Sequence, residues 1–376
     1  MTAFSGSFST VDLDDAEALL AADHDGALWA ASMAGAQVRA TAATVDEGAL
    51  DAVRSESADY PPRSVIWLST RGTAATAGSL LTAVRGDAAR APLVLAAEAP
   101  AWIGSLDVLI VAGDDPGDPA LVAAAAAGVR RGARVVVVAP YEGPLRDATA
   151  GRAVVLDPRI ATRPEFGLLR HFAAGLAVLD ALGAAGESPV DLGALADELD
   201  AEALRNSAAR ELFTNPAKLL ADRIVGREVA LAGDCAATLA LARHGSATML
   251  RVGRSAVAAV GLSDAVSALR ARSAVGRDVA DIFHDDQIDG PAGDRLRVLA
   301  LTLAEERTVV AARINGLGDV DLIAAGDVPV VPGAAEEFAV PMESPAPAGS
   351  VKAEQQLAVL AVRLEMAAAY VRLLRG

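Results

Sequence analysis

Short β-branched runs bounded by Gly, Pro or Asp alternate along this chain with Ala/Leu-rich stretches of helical period, the pattern of βα units wound around a parallel sheet. In the first half the runs predict strands over Ser64–Leu68, Pro92–Ala96, Asp107–Ala112, Ala133–Val138 and Ala153–Leu156. Helices are predicted over Thr73–Arg85, Pro119–Arg131 and Phe166–Leu182. The second half repeats the rhythm, with strands expected near Glu228–Ala232, Ala247–Val252, Asp278–Phe283 and Thr308–Ile314. Between the halves, Gly183–Asn215 reads as a connector, helical and acidic over Leu192–Glu211. Asp327–Ser350 is broken by repeated X-Pro pairs and reads as a loop or strap. From Val351 the apolar positions Leu357, Leu360, Ala361, Leu364, Ala368, Val371 and Leu374 keep a helical period to the last residue and predict a terminal docking helix. No segment repeats at solenoid spacing.

Length and charge narrow the class. At 376 residues the chain has room for about two domains of roughly 150 residues, expected as residues 1–190 and 191–376. Lys and Arg number 33 against 49 Asp and Glu, a formal charge of −16, which makes nucleic acid an unfavourable partner. The longest apolar stretch, around Ala120–Val129, is far shorter than the ~20 residues of a membrane span. The first nine residues show no secretory pattern, so no membrane partner and a cytoplasmic location are expected. Cys235 is the only cysteine, which removes intramolecular disulfides and cysteine-rich zinc sites. The lysines are Lys218 and Lys352, and the histidines His24, His171, His244 and His284 lack metal-ligand spacing. No cofactor and no metal are expected. His284-Asp285-Asp286 with Asp289 reads as a solvated acidic loop, and Cys235 as a small buried apolar residue. Leu231–Ala237 holds a single glycine, too few for a dinucleotide loop.

In an open parallel sheet, ligands bind beyond the carboxyl ends of the strands, where a following helix offers free N–H groups. Two loops qualify. Ser69, Thr70, Arg71, Gly72 and Thr73 follow the first strand with hydroxyls, a guanidinium and a glycine; an ordinary βα turn capped by a threonine fits them equally. The second is Gly113-Asp114-Asp115-Pro116-Gly117-Asp118-Pro119, in which Asp118-Pro119 reads as an N-cap and first-turn pair.

Four stretches resemble the bifunctional phosphoglucose/phosphomannose isomerases, which carry two sugar-isomerase (SIS) domains, and within them a diverged branch similar to the actinobacterial TobH-like proteins. They are Val65–Leu81; Pro92–Ala112 with Ala99-Pro100-Ala101-Trp102-Ile103; Asn215-Pro216-Ala217-Lys218-Leu219-Leu220-Ala221 with Gly226-Arg227; and Leu357–Gly376. The resemblance implies an α/β fold of two SIS domains, each a doubly wound parallel sheet flanked by helices. It also implies a homodimer, because the family's sites lie between subunits and the apolar terminal helix then has a surface to cover it.

The positions that carry the family's chemistry differ here. Its phosphate loop has a Ser-x-Ser-Gly-x-Thr pattern, where this chain has Gly113–Asp118. Its base is a Glu in a segment matching Arg243–Arg254, which holds no carboxylate here. Its ring-opening His falls in Val260–Ala265, where Asp264 is the ionisable group, and its terminal Lys lies beyond the position of Gly376. Its Pro-Arg pair has two counterparts, Pro158-Arg159 and the reversed Arg163-Pro164. The candidate ligand-binding set is therefore Ser69, Thr70, Arg71, Gly72, Thr73, Gly113, Asp114, Asp115, Gly117, Asp118 and Arg163, with no assigned catalytic residue. The expectation is a catalytically impaired phosphosugar-isomerase relative that binds or regulates, with a sugar phosphate or an enzyme of sugar-phosphate metabolism as partner. The alternative is an active aldose–ketose isomerase acting through replacements such as Arg71, Thr73 and Asp264.

Overall fold

The computed structural model describes residues 11–87, 89–183, 189–275, 296–327 and 352–376. It divides into two compact units, one Ser32–Ala201, the other Glu202–Gly376 together with the chain before Ser32. Asp278–Phe283, the His284-Asp285-Asp286 group with Asp289, and all of the Pro-rich segment beyond Asp327 lie outside the described residues.

Helices α1 (Ala16–Ala22) and α2 (Ala27–Ser32) precede α3 (Ala34–Asp46) and α4 (Asp51–Asp59). The Ser32–Ala201 unit continues as β1 (Ser64–Leu68), α5 (Gly72–Arg85), β2 (Leu93–Ala96), β3 (Asp107–Ala112), α6 (Pro119–Arg130), β4 (Arg134–Val138), α7 (Gly143–Thr149), β5 (Val154–Val155) and α8 (Leu168–Ala181), and α9 (Leu192–Arg205) follows. Its strands pair in the order β2-β1-β3-β4-β5, all parallel. Every residue of β1 and β3 is buried, as a sheet covered on both faces requires. Trp67 of β1 anchors one face: its Nε1–H donates to the Ala74 carbonyl at 2.9 Å, and Gly78 of α5 lies against the indole.

The second unit runs α10 (Pro216–Ile224), β6 (Val229–Gly233), α11 (Ala236–Arg251), β7 (Ala258–Gly261), α12 (Leu262–Val275), β8 (Arg297–Leu301), α13 (Arg307–Ile314), β9 (Val320–Ile323) and α14 (Ala353–Arg375), with strand order β7-β6-β8-β9, again parallel. Two expected strands are helices. Ala247–Val252 ends α11, where Leu241, His244, Gly245, Thr248 and Met249 are buried at helical spacing. Thr308–Ile314 lies in α13, whose β-branched Val309 is exposed while Val310 alone is buried. The sheet instead uses β7 and β8, short runs whose Ala and Leu content lacks a strand signature, and β9, four residues interrupted by Asp321.

The terminal helix is present as expected, but the second unit itself covers it. α14 packs on α10 and α11 and is buried along nearly its whole length, so it does not call for a second subunit. Its polar residues are met inside the unit. Arg363 donates to Glu202 at 2.8 Å and to the carbonyls of Ala324 and Ala325, and the Tyr370 hydroxyl donates to the Asn206 carbonyl at 2.7 Å. Lys218 is spent in the same way: Nζ donates to the carbonyls of Leu13, Ala208 and Arg210 at 2.6, 2.8 and 2.5 Å. No helix among the described residues is long and apolar enough to cross a membrane.

Packing around Trp67 yields a stability prediction. A β-carbon at Gly78 would stand 2.4 Å from Trp67 Cδ1 and 2.7 Å from Nε1, so the indole must move off the Ala74 carbonyl. Gly78→Ala is expected to lose about 1–3 kcal/mol in urea unfolding, although alanine is the better helix former. A neutral or stabilising substitution would show that the indole is not held there.

Candidate functional site

In the first sheet β1 leads by α5 to β2 on one side, and β3 leads by α6 to β4 on the other. The winding reverses between β1 and β3, at whose carboxyl ends a sheet of this kind has its ligand crevice. The structure puts both candidate loops there, 69–73 after β1 and 113–118 after β3.

The chain itself fills that crevice. Asp118 is the N-cap of α6 and accepts from the Ala120 N–H at 2.9 Å, with Pro119 in the first turn. The Thr70 hydroxyl donates to the other Asp118 oxygen at 2.9 Å. Arg71 reaches across the crevice, 3.6 Å from Asp118 and 3.7 Å from Asp115, with an exposed side chain. Burial pushes the Asp118 carboxyl up; Thr70, the N–H groups of Ala120 and Leu121 and the charge of Arg71 outweigh it and hold the group below the ordinary carboxylate range. Asp115 accepts from the Gly117 N–H at 2.8 Å, which shapes the turn into the cap. Gly113 donates to the Val138 carbonyl at 3.2 Å, and a β-carbon there would strike Leu121 at 2.5 Å. Ser69 continues the ladder by donating to the Ala96 carbonyl at 3.1 Å. Gly72 opens α5 at φ +67°, a conformation that suits glycine.

Asp114 faces another way. Its Oδ1 takes the Arg170 guanidinium and lies 3.2 Å from His171 Nε2. Burial pushes this carboxyl up, and the hydrogen bond from His171 with the charge of Arg170 more than reverses it. His171 is completely buried, and burial next to Arg170 lowers its basicity. The Nε2–H tautomer, donating to Asp114, leaves only a lone pair unmet at Nδ1, which costs less than an orphaned N–H. The Thr73 hydroxyl donates to the Pro164 carbonyl at 3.2 Å. A β-carbon at Gly167 would approach Thr73 Oγ1 at 3.3 Å and Asp114 Oδ1 at 3.5 Å, so the first turn of α5, the β3 loop and the chain before α8 converge.

Arg163 lies over the Phe166 ring, 5.7 Å from its centroid, and 3.8 Å from Glu165; Arg159 is paired with Glu47 of the α3 C-terminus. The sequence reading missed Arg170 and His171, although an Arg-His pair inside an otherwise apolar helix was the available signal.

In the second unit, Cys235 is half-buried at the N-cap of α11, with its N–H donating to Thr238 Oγ1 at 3.1 Å. Asp264 stands in the first turn of α12. The Arg243–Arg254 run does meet a carboxylate, supplied by the terminal helix: His244 Nε2 lies 2.9 Å from Glu365 Oε1. Both side chains are buried, and burial pushes the Glu365 carboxyl up against the opposing hydrogen bond from His244. A pair sealed from solvent cannot exchange protons with a sugar carbon.

These two parallel, doubly wound sheets, each flanked by helices, define the chain as an α/β protein with the two-domain sugar-isomerase (SIS) fold. The structure is similar to tagatose-6-phosphate ketose/aldose isomerase from Escherichia coli, with TM-score 0.59, 14% identity and coverage of 90% of this chain and 91% of that one. It is also similar to the C-terminal domain of glucosamine-fructose-6-phosphate aminotransferase from Francisella tularensis (TM-score 0.55, 11% identity, 93% and 95% covered). Glucosamine-6-phosphate deaminase from Thermotoga maritima is a third neighbour (TM-score 0.54, 8% identity, 93% and 95% covered). At such identities the likeness is one of fold. No family model and no curated protein matches the sequence.

Because the Asp118 carboxyl is held below its ordinary value, its contribution to stability is present above the unfolded value of about 3.9 and is lost as pH falls through the folded value. Asp118→Asn keeps an N-cap and removes that acid-sensitive part. In urea unfolding, the advantage of the native chain over this variant should be full at pH 6 and shrink towards pH 3. His171 is common to both chains and cancels in the difference; an advantage independent of pH would contradict the assignment.

Proposed function

We propose that this chain is a phosphosugar-isomerase relative that has given up its phosphate site and its isomerase chemistry, and that it acts by binding or regulation in sugar-phosphate metabolism. The observation that carries the reading is the carboxylate of Asp118 on the α6 N-terminus, where an external anion would otherwise sit. A phosphate entering the crevice would have to displace that cap and take Arg71 from two carboxylates. A carboxylate about 4 Å from a phosphate charge repels it by ~4 kcal/mol at an effective dielectric of about 20. Each hydrogen bond to a charged phosphate returns roughly 1.5–3 kcal/mol, and Thr70 is already engaged.

The residues available to an active isomerase support this reading. Thr73 serves the Pro164 carbonyl, Arg71 spans Asp115 and Asp118, and Asp264 belongs to the first turn of α12 in the other unit. Of the two acid-base pairs, His244 with Glu365 is sealed from solvent; in the other, His171 is enclosed, and the partly exposed Asp114 is held below the ordinary carboxylate range by His171 and Arg170, which makes it a weak base. An enzyme of sugar-phosphate metabolism is the proposed protein partner and a homodimer the proposed assembly, both resting on the resemblance of the sequence. Light scattering at micromolar concentration is expected to give twice the chain mass, and a monomer would remove the dimer.

Calorimetric titration with glucose 6-phosphate, mannose 6-phosphate and fructose 6-phosphate is expected to show no saturable binding to the native chain at millimolar ligand. The double variant Asp115→Ser, Asp118→Thr should acquire measurable affinity, because threonine still caps the helix while the repulsion is gone. Asp114 is left in place, since removing it strands the buried Arg170 guanidinium. Tight binding by the native loop, or interconversion of the hexose phosphates at an enzyme-like rate, would establish the active isomerase instead.

A further inference from the structure

Behind Asp114 lies a second polar feature that the phosphate crevice does not use. A narrow cavity runs between α3, α8 and the carboxyl ends of β4 and β5, with Gln37, Thr41, Leu156, Ile160 and Arg170 in its lining and Asp157 and Arg159 on its exposed side. Gln37 is 2% exposed and Arg170 9%. Gln37 Nε2 donates to the Phe166 carbonyl at 3.0 Å, which fixes the amide orientation and turns Oε1 the other way. Among the described residues, Gln37 Oε1 and Arg170 Nε are buried with no protein partner. A buried acceptor and a buried donor are each costly to leave unmet, so two of them on residues that line one cavity point to an occupant.

The two atoms specify its chemistry. Arg170 Nε–H requires an acceptor and Gln37 Oε1 a donor, and one hydroxyl oxygen supplies both. An anion would satisfy Arg170 alone and leave the Gln37 oxygen facing another acceptor. The charges around the cavity give an anion no surplus cation either: Arg170 is matched by Asp114, Arg159 by Glu47, and Asp157 adds a carboxylate. The space suits a small group, with about 10 Å³ free for the centre of a water-sized atom, the lower limit of the roughly 10–15 Å³ that a buried water needs.

We propose that this cavity is a binding site for one hydroxyl oxygen bridging Arg170 and Gln37, carried by a water or by a small polyol entering past Asp157 and Arg159. The bridge ties α3 to α8 and completes the donors of Arg170, the group that positions Asp114. The proposal is independent of the fate of the phosphate crevice.

Crystals of the full chain, grown from phosphate buffer with and without erythritol, test it. One oxygen within hydrogen-bond distance of both Arg170 Nε and Gln37 Oε1 is expected. Density for a single oxygen in both crystals assigns it to water, whereas density continuing into a carbon chain with erythritol assigns it to the polyol. A dry cavity, an oxygen touching neither atom, or phosphate in the site would overturn the proposal. In solution, water-oxygen relaxation dispersion should count one long-lived water fewer in Gln37→Leu than in the native chain. Thr41→Val, which alters the same lining but not the bridging atoms, should leave the count unchanged. An unchanged count in a folded Gln37→Leu chain would also overturn it.

Discussion

The start of a helix following a parallel strand exposes N–H groups that the helix itself cannot satisfy, and a capping side chain, water or a bound anion has to meet them. After β3 it is the carboxylate of the chain's own Asp118. An internal carboxylate needs no binding entropy and is present at a fixed, very high local concentration, so an external phosphate competes against a partner that is always in place. The cap also enlists its surroundings. Thr70 and Arg71 come from the β1 loop, across the point where the sheet reverses its winding, so the same contact that ends the β3 loop also bridges the crevice.

The neighbouring carboxylate shows how far this inward turn extends. Asp114 lies next to Asp115 in sequence, yet one supports buried Arg170 and His171 while the other lies exposed and shapes the turn. A buried guanidinium retains its charge, so it must keep a carboxylate. Asp114 is therefore committed to the fold, even though its position in the loop is one where a ligand-binding hydroxyl could stand. Loop 113–118 thus combines two structural obligations, a helix cap and a buried ion pair, and either alone would restrict what the crevice can accept.

What could be read in the sequence follows from whether the signal was local. β1 and β3 were legible to the residue because both are continuous β-branched or apolar runs closed by Asp, Ser or Gly, and the Asp118-Pro119 cap announced itself for the same reason. The second sheet was harder. β8 reads Arg-Val-Leu-Ala-Leu, as good a helix as a strand, and the Thr-Val-Val of α13 reads as a strand until α13 is seen to bury a single side. The pairs that decide the chemistry were not local at all. Arg170 meets Asp114 across 56 positions and Glu365 meets His244 across 121; no spacing rule reaches that far, and only the fold brings them together.

The second sheet resolves the same problem with different residues. Its winding reverses between β6 and β8, and there too the exposed groups are met from within. Asp234, after β6, is paired with Arg313 of α13, and the Ala304 N–H, just beyond β8, donates to Gln356 of α14 at 2.7 Å. Unrelated side chains thus meet the two strand ends, a capping aspartate in one sheet and a glutamine from the terminal helix in the other. The terminal helix then has a role that needs no substrate: α14 packs on α10 and α11, is tied to Glu202 and Asn206 through Arg363 and Tyr370, and supplies Gln356, which meets the N–H just beyond β8.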